Sequence, residues 1–94
     1  MTKIDIINRV AEQTGLPKQD ADLAVETIIS LVKDALAQDE PVILRRFGSF
    51  QTRTKNARIG RNPKTGEEAE ITARKVVRFK AGKRFKEAVN NAPD

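Results

Sequence analysis

Apolar residues along this chain change their spacing twice, and the changes divide it into three kinds of element. Near the N-terminus Ile6, Ile7, Val10 and Ala11 recur at helical intervals, which predicts a short helix over residues 3–13 with Thr2 as its N-cap. Gly15 supplies a stop, and Pro17 stands where a following helix begins. Ala21, Ala24, Val25, Ile28, Leu31, Val32, Ala35 and Leu36 then keep a 3–4 period for about four turns. Ile29 widens that stripe beyond what a lone helical hairpin needs, so apolar surface is left over for a partner.

From Pro41 the pattern turns β-like. Val42, Ile43 and Leu44 form a first short run, and Phe47-Gly48-Ser49-Phe50 follows, with a tight turn expected at Gly48. A second strand continues through Gln51, Thr52, Arg53, Thr54 and Lys55. Val76, Val77 and Phe79 mark a third, with Arg78 and Lys80 alternating outward. Phe85, Ala88 and Val89 sit at helical spacing in a short final helix. The expected fold class is α+β in one domain over residues 1–94. Its parts are a helix-turn-helix pair (1–40, the dimerisation part), a three-stranded antiparallel sheet (41–55 and 74–80), and a C-terminal helix (82–91).

Residues 56–73 fit neither pattern. They are polar and basic between strand-like flanks, with Ile59 and Ile71 as their only large apolar residues. Asn62-Pro63-Lys64-Thr65-Gly66 is a turn signal, since proline suits the second position of a type I turn and Gly66 tolerates positive φ. The simplest geometry is a long protruding hairpin arm, with legs of about 30 Å if nine residues each rise ~3.3 Å. A two-stranded ribbon is marginal alone in water, so such an arm awaits a ligand.

Charge sharpens this picture. Residues 1–40 carry a net charge of −4 and residues 41–94 a net charge of +9, an asymmetry that points to a polyanionic partner. With neither Cys nor His, the chain has no thiolate or imidazole for a zinc site or for nucleophilic catalysis. Neither a metal nor a cofactor is expected, and no enzyme or small-molecule substrate. Asp5 and Arg9 interrupt the N-terminal apolar residues, so no signal peptide is read there, and no apolar run is long enough to span a membrane. A cytoplasmic protein is expected. At 94 residues with four phenylalanines as its only aromatics, its own core is marginal, which also argues for oligomerisation.

Arg53, Lys55, Arg58, Arg61, Lys64, Arg74 and Lys75 lie along the hairpin. They suit phosphate and minor-groove contact, or else pair with Glu67, Glu68 and Glu70 across the ribbon, where exposed pairs contribute little. Pro63 is either a turn former or an apolar wedge that enters a base step and kinks a duplex. Lys80, Lys83, Arg84 and Lys86 oppose the dipole of the last helix, a mismatch that phosphate binding would offset. Phe47, Phe50 and Phe79, with Phe85, read as core rather than as base-stacking platforms.

Three segments carry a family resemblance: Phe47-Gly48-Ser49-Phe50, Gly60-Arg61-Asn62-Pro63-Lys64-Thr65-Gly66, and Val76-Val77-Arg78-Phe79-Lys80-Ala81-Gly82-Lys83. They resemble the bacterial HU / integration host factor family, and the likeness extends over essentially the whole chain. The resemblance implies an intertwined dimer in which the sheet forms a saddle and two arms embrace double-stranded DNA in the bacterial nucleoid. It implies that Pro63 intercalates, that Arg58 and Arg61 enter the minor groove, and that Asn62 and Lys64 flank the wedge. Lys3, Lys80, Lys83, Arg84 and Lys86 become body contacts to phosphates. Phe47, Phe50, Phe79, Ile28, Leu31, Val32 and Leu36 become the dimer core. The segment Thr72-Ala73-Arg74-Lys75-Val76-Val77 is similar to host-factor α-type chains, and Arg45 to a specificity arginine of β-type chains. Arg46 departs from both, since glycine is common before the Phe-Gly pair, but with Arg45 it is counted among the DNA-binding cations. A low-specificity HU-like homodimer is the expected form. A sequence-preferring host-factor subunit in a heterodimer, or a basic structural protein binding acidic partners, are the alternatives.

Overall fold

The computed structural model describes Met1–Asn91; residues 92–94, the end of the domain expected over 1–94, lie outside the described residues. Helix α1 (Lys3–Thr14) begins where Asp5, in its first turn, accepts hydrogen bonds from the Thr2 backbone N–H (2.8 Å) and hydroxyl (3.1 Å). That carboxylate also suits the positive end of the helix. The helix ends at Gly15, whose φ of 74° is left-handed and whose N–H donates to the Ala11 carbonyl. Helix α2 (Lys18–Ala37) starts from Pro17, whose carbonyl accepts from the Asp20 and Ala21 N–H groups. Ile7, Ala21 and Val25 pack where the helices meet, with Val10 and Ala11 at the edge.

Strands β1 (Val42–Leu44), β2 (Gly48–Lys55), β3 (Arg58–Arg61), β4 (Glu68–Ile71) and β5 (Arg74–Ala81) follow, then helix α3 (Lys83–Asn90). β1, β2 and β5 form one antiparallel sheet in that order, and β3 pairs with β4 in a second. Gly82 and Asn91 flank α3 as its caps, so the helix is shorter at both ends than residues 82–91.

The turn from β1 into β2 does not fall at Gly48. Arg45, Arg46 and Phe47 make it, closed by the Phe47 N–H donating to the Leu44 carbonyl at 3.0 Å, with Arg46 in the left-handed region at φ 70°. Phe47 is thus a turn residue rather than a strand residue. Gly48 is required for closeness instead: a Cβ there would lie 2.5 Å from the Lys80 carbonyl oxygen and 2.7 Å from the Phe79 ring. Gly48→Ala is expected to cost about 1–3 kcal/mol through overpacking. A lower urea midpoint of unfolding would show it, and an unchanged midpoint would show that the strand pair can spread.

Side chains alternate across a sheet, so the register sorts the two faces. Phe50 lies opposite Phe79, and Gly48 opposite Ala81, on the face that also carries Val42, Leu44 and Val77. Here Phe79 is 4.8 Å from Phe50 and 5.4 Å from Phe47 between ring centroids, and Phe85 of α3 closes the group 4.9 Å from Phe47. The opposite face carries Ile43, Ser49, Gln51, Arg53, Lys55, Arg74, Val76, Arg78 and Lys80.

The arm strands are shorter than nine-residue legs, at four residues each. Asn56, Ala57, Thr72 and Ala73 interrupt the ladder between them and the sheet. The register nevertheless carries through: Lys55 faces Arg74, and beyond the gap Arg58 faces Ile71. β2 through β5 are therefore one interrupted ribbon. The radius of gyration is 18.9 Å, against about 12 Å for a compact chain of this length. The ribbon projects from the body.

Among the described residues the buried apolar side chains are Ile7, Ala21, Val25 and Leu36 alone. Ile28 and Leu31 are 62% and 64% exposed, and Phe47 and Phe79 are about 40% exposed. Val32 and Phe50 are half-buried. Leu36, grouped with these as dimer core from sequence, is placed differently. It is 6% exposed within its own chain, on a helix that packs on β1 and β2, and has little surface left for a partner.

Candidate nucleic-acid interface

The arm tip is built by its own backbone. The Asn62 N–H donates to the Glu67 carbonyl (2.9 Å), and the Gly66 N–H donates to the Asn62 carbonyl (2.7 Å). The loop thus closes on an i to i+4 bond spanning five residues, rather than the i to i+3 bond of a four-residue type I turn. The Asn62 side-chain oxygen accepts from the Lys64 N–H at 2.9 Å, and Gly66 takes φ 72°. These bonds hold Pro63 at the end of the ribbon, exposed. Fixed at both sides, the ring is presented to the outside.

Strand register assembles the cations behind it. Arg53, Lys55, Arg74, Arg78 and Lys80 share the sheet face opposite the phenylalanines, and all are exposed. Among the described residues none of the five is ion-paired. Arg78 was not among the site residues expected from sequence. Its alternation with Lys80 and Arg74 was the signal, since a period of two puts all three on one face. On the arm, Arg61 bonds Glu68 directly across the ladder at 3.0 Å, whereas Arg58 and Lys64 make no ion pair among the described residues. Lys83, Arg84 and Lys86 lie in the first turn of α3, which has no acid there. Arg45 and Arg46 project from the β1–β2 turn, both exposed.

Two cations expected at the interface are engaged elsewhere. Lys75 is one position out of phase with Arg74, so it faces the helices. Its ammonium lies 3.1 Å from the Asp39 carboxylate and 3.3 Å from the Ala37 carbonyl at the end of α2. Lys75 and the Thr52 hydroxyl both donate to Asp39 and hold its carboxyl below the ordinary carboxylate range. This tie between α2 and the ribbon is therefore complete above that range and lost as pH falls through the lowered value. Lys3 is paired with Glu26 of α2, whose carboxylate accepts from the ammonium and keeps its pKa above the ordinary lysine value.

The arrangement offers a cationic strand face, an arm with free arginine and lysine, and an apolar ring at the tip. Among the described residues no group of acidic side chains could hold a metal ion, and no helix is long and apolar enough to cross a membrane.

Known proteins share this architecture. The family model described as bacterial DNA-binding protein matches residues 1–90. DNA-binding protein HU-1 of Halalkalibacterium halodurans is 51% identical, with 96% of this chain and all of the relative covered. Integration host factor subunit alpha of Idiomarina loihiensis is 48% identical, covering 98% of this chain and 94% of the relative. The Anabaena HU of an HU–DNA cocrystal structure superposes with a TM-score of 0.89 at 39% identity, over 98% of this chain and 100% of that one. HU from Thermotoga maritima does so at 0.67 and 32% identity, over 95% and 98%. The chain belongs to the bacterial DNA-binding protein family, beside HU and the integration host factor subunits.

Proposed function

We propose that this protein is an architectural, non-enzymatic DNA-binding protein of the bacterial nucleoid, which bends duplex DNA across a dimer of the HU type. The single observation that carries the reading is the projecting ribbon, which places an exposed Pro63 beyond a face of strand cations that make no ion pair among the described residues. Two copies joined through their open apolar faces would present two such arms. Arg58 and Arg61, flanked by Asn62 and Lys64, would lie along the minor groove, and Arg53, Lys55, Arg74, Arg78 and Lys80 would neutralise phosphates. Lys83, Arg84 and Lys86 would meet the duplex after it bends.

Low sequence specificity follows from the chemistry of the face. Arginine and lysine on phosphates fix position and carry no sequence information. The relatives include an HU and a host-factor subunit at similar identity, so diffuse footprinting on random DNA favours the homodimer, and a few protected sites favour the host-factor alternative.

Pro63 carries the bend in this reading. Unstacking a base step costs a few kcal/mol, recovered when the bent flanks reach further cations. Pro63→Ala removes the ring and leaves every charge. It is expected to lower the bend angle, read by energy transfer between end-labelled fluorophores, more than it lowers affinity. Equal bending by variant and parent would remove the wedge from the mechanism.

A further inference from the structure

Arg46 adopts a backbone conformation that suits glycine. Its φ of 70° lies in the left-handed region, where a side chain crowds the following carbonyl. The local structure leaves it no alternative. Phe47 is tied down three times: its N–H to Leu44 (3.0 Å), its carbonyl to the Gly82 N–H (2.8 Å), and its ring to Phe79 and Phe85. Arg46 therefore carries a persistent cost in the fold. Its side chain is exposed and, among the described residues, meets no carboxylate that would offset it.

We propose that Arg46 is a phosphate contact for the flank of the bent duplex, at the end of the saddle farthest from the arm, and that the strained backbone is retained for that contact. The proposal rests on the DNA-bending reading above. The ribbon from Gly48 to Arg61 spans about 43 Å at ~3.3 Å per residue. That corresponds to about 13 base pairs at ~3.4 Å each. A flank folded back from the arm tip thus reaches the β1–β2 turn only if it is longer than this. The turn is bonded to Gly82, immediately before Lys83 and Arg84, so Arg46 extends a cationic end that is already assembled.

Arg46→Asn tests this, because asparagine tolerates the left-handed region and has no charge. Arg46→Lys keeps the charge and the strained backbone. Each is titrated, beside the parent, with duplexes nicked to fix the kinks and carrying flanks of about 15 or about 4 base pairs. With long flanks, Arg46→Asn is expected to lower the slope of log affinity against log salt by about two, one lost contact per protomer, and Arg46→Lys to leave it unchanged. With short flanks all three proteins are expected to coincide. Arg46→Gly is expected to raise Tm by about 4–8 °C. An unchanged slope with long flanks overturns the proposal, and so does an equal loss with both flank lengths. Failure of the parent to bind either duplex would instead overturn the DNA-bending reading itself.

Discussion

Raising the salt from 50 to 200 mM is expected to weaken binding to duplex DNA by about 10³–10⁵-fold, the loss that accompanies release of counterions from 6–10 neutralised phosphates. The protein supplies more than enough candidates. Each protomer carries five strand-face cations that make no ion pair among the described residues, before the arm and α3 are counted. Two groups reduce the slope below what the net charge of +5 and the eighteen basic residues suggest. Lys75 is held by Asp39 on the sheet face opposite the strand cations, Lys3 is paired with Glu26, and Arg61 must leave Glu68 before it can enter a groove. Affinity measured by fluorescence anisotropy at four salt concentrations gives the slope directly. A slope near zero would mean that the cationic face meets no phosphates. The same measurement on Arg78→Gln separates strand register from composition. The register makes Arg78 equivalent to Arg74, so its loss is expected to lower the slope, whereas Lys75→Gln, on the opposite face, is expected to leave it nearly unchanged.

What was legible in the sequence was whatever has a short period. The two N-terminal helices and the amphipathic last helix repeat every three to four residues, the turn at Pro63 is written in five consecutive residues, and the structure places each of them there. The turn at Arg45–Phe47 was not legible, because glycine next to two phenylalanines is the stronger turn signal and arginine is a poor one for a left-handed residue. Gly48 has a different cause, the approach of the Lys80 carbonyl, and that lies more than thirty residues away along the chain. The same holds for Lys75. Its neighbour Arg74 lies on the cationic face, and only the pairing of β2 with β5 shows that one step along the strand turns the side chain toward Asp39. The ladder gap at Asn56, Ala57, Thr72 and Ala73 is likewise a property of two segments together. Local composition named the cations of the site; long-range register decided which of them share a face.

Leu31→Glu is expected to abolish the folded protein at micromolar concentration. The four side chains buried within one chain form too small a core to hold a body from which a bare ribbon projects, while Ile28, Leu31, Phe47 and Phe79 remain open to water. Burying one leucine contributes about 1.5–3 kcal/mol, and an isologous interface counts the loss twice. An unpaired carboxylate placed at such a contact adds its own desolvation cost, so the total approaches the 5–15 kcal/mol by which ordinary domains are stable. Circular dichroism would show the loss of helix, and sedimentation would show the loss of the dimer. For the parent, the same interface makes the unfolding midpoint rise with protein concentration, as it must when folding and association are one reaction. The arms follow from the body in this argument. Each ribbon is rooted in a sheet whose phenylalanine face is open in the single chain, so in the proposed dimer a variant that remains monomeric would lose the paired arms and the bend together. A Leu31→Glu protein that stayed fully helical as a monomer, with a midpoint independent of concentration, would show that the apolar stripe of α2 serves something other than a second copy of the chain.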